Sequence, residues 1–353
     1  MPLLSPTWRL ATITAYFAVT FSLANPRAHL TNSEKWFAGD EARRIAENIL
    51  SYQSELGGWP KNQSTMSSRY LGERENLKPT YDNKATTDEL RFLARLYTAT
   101  KEPRYRASFI RGLDYILAGQ YPSGGWPQYH PPGTDYHRHI TFNDNAMVRL
   151  LKFVREVATE DTYAFVDKTR RRSASEAFEE GIECILKCQI RVNNHLTAWC
   201  AQHDENDFRP RAARSFELAS LSGSESVGIT RLLMNLDEPT PDVVQAVEAA
   251  ITWFEAVKIN NIRVVKVKDG QAPKGTNKIV LKERNARQLW ARFYEIESNS
   301  PIFADRDGIA KSALADIGYE RRNGYAWYGN WPQKLLERDY PAWKKRIAED
   351  SSQ

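Results

Sequence analysis

A tryptophan-bearing turn recurs along this chain and decides which architectures are open to it. Gly57-Gly58-Trp59-Pro60 and Gly124-Gly125-Trp126-Pro127 each close a helical stretch, and Trp199 closes a third. Paired glycines followed by Trp-Pro do not continue a helix, so each turn is a stop signal. Trp59 and Trp126 lie 67 residues apart and Trp126 and Trp199 lie 73 apart, room each time for two helices and their loops. A glutamine precedes each turn as well: Gln53, Gln120 and Gln189. A repeat of this length, built from antiparallel helix pairs, points to an all-α fold, an incomplete (α/α) toroid. A stacked solenoid is the alternative, but the repeats are few. Ten Trp and sixteen Tyr suit a closed, cleft-bearing form, although they would equally fill a wide helical core.

The helices are read from their apolar spacing. Ala42, Ile45, Ile49 and Tyr52 share one face of a helix that begins at Asp40. Thr86 and Glu89 predict a capping box ahead of Leu90, Leu93, Leu96 and Tyr97. Pro103 opens the next helix, which Gly119 closes, and Met147, Leu150, Leu151 and Val154 mark another. A basic stretch from Lys168 to Arg172 is expected to lead into a helix carrying Ile182, Ile185 and Leu186. Ser222 and Glu225 predict a second capping box before Ile229 and Leu232, and Asp242 starts a strongly apolar helix. Past Asn260 the period changes. Residues 262–267 and 278–281 read as a small inserted β-hairpin, and Trp331-Pro332 echoes the earlier turns.

In an antiparallel helix array, connections after every second helix emerge at the same end. Asp82, Asp144 and Arg214 follow the Trp turns by 23, 18 and 15 residues, so two carboxylates and a guanidinium are expected on one rim. Each alone has a plain explanation. Helix N-termini favour an acid, and Arg214, beside Arg209, Arg211 and Glu217, fits a surface ion pair. Together they point to a functional rim. Paired carboxylates could serve as the acid and base of a glycoside hydrolase. They could equally bind Ca²⁺, with Asn83, Asn143 and Asn145 as neighbours of the right kind. Arg214, Arg292 and Arg306 favour a polyanionic substrate, because arginine pairs bidentately with carboxylate.

The apolar and charged fractions, 41% and 26%, are ordinary for a soluble globular protein. Leu10 to Ala24 is a mostly apolar run after a single Arg9, ending in small residues, and reads as a secretory signal peptide over residues 1–24. It is too short and too rich in Thr and Ala for a membrane span. Residues 25–353 are then one catalytic domain, secreted to the periplasm or the exterior, with no membrane attachment and expected to be monomeric. Three cysteines, Cys184, Cys188 and Cys200, are no disulfide framework and have no zinc spacing. One disulfide through Cys200 and buried free thiols both fit. The basic runs are short and accompany no nucleic-acid-binding motif.

The blocks DNKATTDELRFLARLY, GGWPQYHP, HITFNDNAM, ARSFELASLSGSESVGI, WARFYEI and RRNGYAWYG, in this order, resemble the family 10 polysaccharide lyases. These are pectate lyases with an incomplete α/α-toroid fold. The resemblance implies calcium-dependent β-elimination on polygalacturonate, an acidic polysaccharide. It implies that Asp82 and Asp144 form the calcium site, with Asp82 also facing the substrate carboxylate. It implies that Arg214 is the base removing the C5 proton and that Arg292 and Arg306 bind substrate carboxylates. Ala219 stands where the family usually has Pro. For Arg214 to act as a base it should be desolvated and crowded by positive charge, since both favour the neutral guanidine.

Two other readings compete. A hydrolase of uronate-containing oligosaccharides would use Asp82 and Asp144 as acid and base and need no calcium, but it leaves the arginines over-supplied. A non-catalytic protein binding acidic polysaccharide would keep the cleft and lose the chemistry.

Overall fold

The computed structural model describes residues 25–350, so the expected signal peptide lies outside the described residues. The helices are α1 (Glu34–Phe37), α2 (Asp40–Ser51), α3 (Thr87–Thr100), α4 (Pro103–Ala118), α5 (Ala146–Thr159), α6 (Lys168–Cys188), α7 (Glu225–Met234), α8 (Pro241–Ala256), α9 (Tyr319–Gly324) and α10 (Tyr340–Asp350). They pair as hairpins, α3 with α4, α5 with α6 and α7 with α8. The pairs then associate in two layers, α3 against α5 against α7, and α4 against α6 against α8. This is the α/α toroid, and one buried apolar cluster runs through it from Phe37 to Trp343.

The repeated turn has a physical basis. The last carbonyls of a helix have no partner within it. Here Trp59 Nε1 donates to Ile49 O at 2.7 Å, Trp126 to Ile116 O at 2.9 Å and Trp199 to Ile185 O at 2.8 Å. Each indole therefore satisfies the end of the preceding helix while its ring fills the core. Each glutamine bridges its own turn to the next helix of the outer layer. Gln53 Nε2 donates to Gly57 O at 2.7 Å and Ser108 O at 2.9 Å. Gln120 donates to Gly124 O at 3.0 Å and Ala177 O at 2.9 Å, and Gln189 to Thr197 O and Ala246 O, both at 2.9 Å. Gly57 and Gly124 are required because φ is +104° and +85°, and a Cβ would lie 2.4 Å from Arg111 O or 2.2 Å from Glu180 O.

Several local expectations are corrected. The fourth member of the tryptophan set is Trp290, which donates to Phe254 O at 2.8 Å, and not Trp331. The hairpin Ile262–Lys268 with Thr276–Lys282, in register Ile262↔Lys282, is inserted between α8 and Trp290 and hides the repeat spacing. The basic stretch from Lys168 is the first part of α6 itself, capped by Asp167, whose side chain accepts from Arg170 N. Thr86 makes no side-chain cap to α3. Its hydroxyl is spent on Trp59 N at 3.0 Å and Thr80 O at 2.9 Å, so packing between repeats overrides the capping signature. Of the second capping box, Ser222 Oγ does accept Glu225 N at 3.1 Å. All three cysteines are buried free thiols. No helix among the described residues is long and apolar enough to cross a membrane.

Candidate active site

The rim forms because each Trp carbonyl pins the start of the next inner helix. Trp59 O accepts Thr80 N at 3.0 Å, Trp126 O accepts Thr141 N at 3.0 Å and Trp199 O accepts Ser222 N at 2.8 Å. Three residues beyond each pin stand Asn83, Asp144 and Glu225. Asn83 and Asp144 share a left-handed backbone, φ 52° and 51°, and the same holds one residue later for Lys84 and Asn145. Asp82 and Asp144 thus come from equivalent, touching turns but are offset by one position.

That offset gives them different environments. Asp82 is 3% exposed, and its Oδ2 accepts Lys61 Nζ at 2.6 Å and Gln128 Nε2 at 2.5 Å, while Oδ1 accepts Asn83 N at 2.8 Å. The Asp144 side chain is half-exposed, with Oδ1 4.0 Å from Arg292 Nη2 and Oδ2 accepting only Asn143 Nδ2 at 3.4 Å. Burial, then repulsion from Asp82 and Glu225, pushes the Asp144 carboxyl above the usual range, partly offset by Arg292. Asp82 has three of its roughly four acceptor positions filled, with room left on Oδ1, whereas Asp144 has most of its own to spare.

Arg292 is the guanidinium that meets them. Its side chain is 12% exposed, it donates to Glu225 Oε1 at 2.5 Å, and its guanidinium carbon lies 5.0 Å from the Tyr325 ring centroid. Burial would lower its pKa, but Glu225, Tyr325 and Asp144 together raise it. Its Nε is buried without a hydrogen-bond partner, and so is Oε1 of Gln128, the amide that binds Asp82. Buried polar groups are almost always satisfied. The site therefore keeps one unused cationic donor and one unused acceptor beside its two aspartates.

Arg214 sits in the loop after Trp199. It makes a two-point contact with Glu217, Nε to Oε2 at 2.8 Å and Nη2 to Oε1 at 2.5 Å, and lies over Phe216 and Tyr325. Tyr325 Oη donates to the same Glu217 Oε1 at 2.6 Å, so Tyr325 joins Arg214 to Arg292. The expected crowding by positive charge is not what surrounds Arg214. The bonded Glu217 carboxylate raises its pKa against some burial, and the side chain is 47% exposed. Arg306 is not drawn into this cluster. It pairs with Glu320 through two contacts of 2.7 Å, is 64% exposed, and meets the site only as long-range repulsion from Arg214.

Sequence reasoning missed Glu225 as a site residue and read Glu217 as part of a surface pair, although it is buried. The signal for Glu225 was its place in the third repeat, obscured because Ser222 invites a capping interpretation. Lys61, Gln128 and Tyr325 carry no motif of their own.

Carboxylates and amide oxygens, with no sulfur or imidazole, are the donors a hard cation such as Ca²⁺ prefers, and Asp144 and Gln128 hold unused ones. Among the described residues, only His139, Asp204 and Glu205 bring three ligand-type atoms within 4.8 Å of one another. Glu205 there already accepts Arg138 Nε at 2.7 Å and Asp204 accepts Arg211 Nε at 2.9 Å, so that group's negative charge is largely spent.

A two-layered helical toroid whose rim sets spare carboxylate oxygens beside a buried arginine defines an enzyme cleft for acidic substrates. The sequence profile of the pectic acid lyases matches residues 53–336. The family 10 polysaccharide lyase of Cellvibrio cellulosa superposes with a TM-score of 0.74 at 33% identity, covering 86% of this chain and 93% of that one. A mutant of that enzyme in complex with trigalacturonic acid gives the same score and identity, covering 86% of this chain and 94% of the other. Among curated proteins none matches. The chain belongs to the pectic acid lyase family, and it is a pectate lyase.

Proposed function

We propose that the enzyme cleaves polygalacturonate by calcium-dependent β-elimination at the rim formed by Asp82, Asp144, Arg214 and Arg292. The observation that carries this reading is the pairing of an under-used carboxylate, Asp144, with a buried guanidinium whose Nε has no partner. One group suits a cation and the other a uronate carboxylate. The matched relative's complex with trigalacturonic acid supports the substrate class.

In this reading Asp144 and Asp82 would hold Ca²⁺, with the Gln128 amide oxygen available beside them. Bound there, the ion would neutralise the uronate carboxylate and offset the charge that builds as C5 loses its proton. Arg292 orients that carboxylate, held in place by Glu225 and the Tyr325 ring. Arg214 takes the C5 proton, the C4–O bond breaks with its electron pair going to the leaving oxygen, which takes a proton from water, and a C4–C5 double bond forms. Glu217 keeps Arg214 protonated in the free enzyme, so the base form requires Arg214 to leave Glu217, and the reaction belongs at alkaline pH. Arg306, at the edge, would hold the carboxylate of a more distant sugar. Residues 25–353 would be the exported, monomeric enzyme.

The test is Arg214→Ala assayed for unsaturated uronate ends with calcium present. The folded variant should lose roughly 10²–10⁴ in turnover, the usual worth of a positioned base. Unchanged turnover would overturn the assignment of Arg214.

A further inference from the structure

The inserted hairpin gathers the chain's positive charge. Residues 262–287 hold eight lysines and arginines against two acids, Asp269 and Glu283, whereas the net charge of the whole chain is +5. Side chains alternate across a strand, and residues opposite each other in a ladder share a face. The register Lys266↔Lys278, Lys268↔Thr276 and Ile262↔Lys282 therefore puts four lysines on one face, with Val264 and Val280 and no carboxylate. Among the described residues, the hairpin's one ion pair joins Arg263 to Glu283 at 2.9 Å and leaves Lys266, Lys268 and Lys282 exposed without one. Asp269 is engaged locally, accepting Gln271 N and Asn277 Nδ2, both at 3.1 Å.

Like charges directly opposite in a ladder are destabilising, so Lys266 and Lys278 cost the hairpin stability until an anion lies over them. Lys278 registers this: burial, then Lys266, lowers its pKa. The same face borders a cavity of about 380 Å³ that also touches residues 326–328. The charged residues of its lining are Arg263, Lys278 and Arg287, again with no carboxylate, and Trp327 and Tyr328 add aromatic wall. Two of these cations hold neutral partners, Lys278 Nζ donating to Tyr325 O at 2.9 Å and Arg287 Nε to Gln333 Oε1 at 2.6 Å. The ring of the same Tyr325 lies under Arg214 and Arg292, so one residue ties the hairpin to the rim.

We propose that the lysine face of this hairpin is a second binding surface for acidic polysaccharide, which holds the substrate chain beyond the residues bound at the rim and takes no part in the chemistry. The inference rests on the pectate lyase reading of that rim, which makes the substrate a polymer with a carboxylate on every sugar. Those carboxylates supply the anions that the four lysines lack, and a chain held there is kept concentrated at the rim. Residues 262–287 include no aromatic side chain to seat in a membrane interface, which favours a soluble polyanion over a lipid surface.

The experiment measures kcat and KM for unsaturated-end formation on long polygalacturonate and on trigalacturonate, with calcium present, in the wild type and in the triple variant Lys266→Gln, Lys268→Gln, Lys282→Gln. Lys278 is left in place because it braces Tyr325. The variant should raise KM on the polymer by roughly tenfold, the combined worth of three exposed charge contacts. Its kcat, and its kcat/KM on the trimer, should stay at the wild-type values, because only a chain that outruns the rim reaches the lysines. The trimer also reports that the variant is folded. A polymer KM that does not move, or one that rises equally on the trimer, overturns the second surface while leaving the rim's chemistry standing. Loss of binding to anionic phospholipid vesicles in the variant, with the polymer KM unmoved, gives the face to a lipid surface and overturns the proposal as well. Failure of the wild type to cleave either substrate overturns the underlying reading, and the surface with it.

Discussion

Arg214 lies against Glu217 in a two-point ion pair, 2.8 Å from Nε to Oε2 and 2.5 Å from Nη2 to Oε1. The pair holds the proposed base in its protonated form, because the bonded carboxylate raises the guanidinium's pKa. Glu217 is itself buried and pulled below the usual carboxylate range by Arg214 and Tyr325, against the upward push of burial. It stays ionised through the working pH.

Glu217→Gln should therefore shift the pH profile. Removing the anion lowers the pKa of Arg214, so the alkaline rise of kcat/KM moves to lower pH. Tyr325 and Arg292 remain to hold the substrate. A pH series of initial rates reads this directly, and an unmoved profile would show that Arg214 does not set the limb.

Asp144 is a carboxylate whose charge the fold disfavours. Its pKa is raised in the folded state, so above that pKa the ionised group costs stability. Asp144→Asn should raise the melting temperature without calcium and abolish most of the rise that calcium gives the wild type. Thermal melts with and without calcium report both effects. A variant that calcium stabilises as much as the wild type would remove Asp144 from the metal site.

Trp126→Phe keeps a ring in the core but removes the 2.9 Å bond to Ile116 O, which keeps only its 3.2 Å bond from Gly119 N. Losing one such hydrogen bond costs about 0.5–1.5 kcal/mol net. Denaturant unfolding should show at least that loss, and Trp59→Phe should behave alike because Trp59 makes the equivalent bond to Ile49 O.

His203 anchors the loop that carries Arg214. Its Nε2 accepts Cys200 N–H at 3.0 Å, its Nδ1 lies 2.7 Å from Phe208 O, and burial lowers its pKa from 6.5 to about 4. The unfolded chain then binds a proton that the folded one refuses. Stability is full above pH 6.5, falls as pH drops towards about 4, and that loss amounts to no more than about 3 kcal/mol. In His203→Gln this pH-dependent loss should be absent, so that it appears as the difference between the wild-type and variant stabilities across that pH range.

The toroid was legible because Trp59, Trp126 and Trp199 perform a local task, closing a helix, that leaves the same residues in the same order each time. Asp82 and Asp144 were legible for the same reason: both follow such a turn. Their one-position offset was not, because it is a backbone fact, visible only in the matching φ of Asn83 and Asp144. Trp290 escaped notice behind the inserted hairpin, and Thr86 misled because its hydroxyl serves Trp59 rather than its own helix. The environment of Arg214 depends on Glu217 and on Tyr325, which is 108 residues away from Glu217 in sequence, a contact no spacing rule encodes.

A rim that eliminates leaves a different chain end from one that hydrolyses. The most direct measurement counts unsaturated uronate ends against new reducing ends on polygalacturonate, with calcium and again with chelator. Equal numbers of both are expected with calcium and neither with chelator. New reducing ends without new double bonds, or cleavage indifferent to chelator, would contradict calcium-dependent elimination.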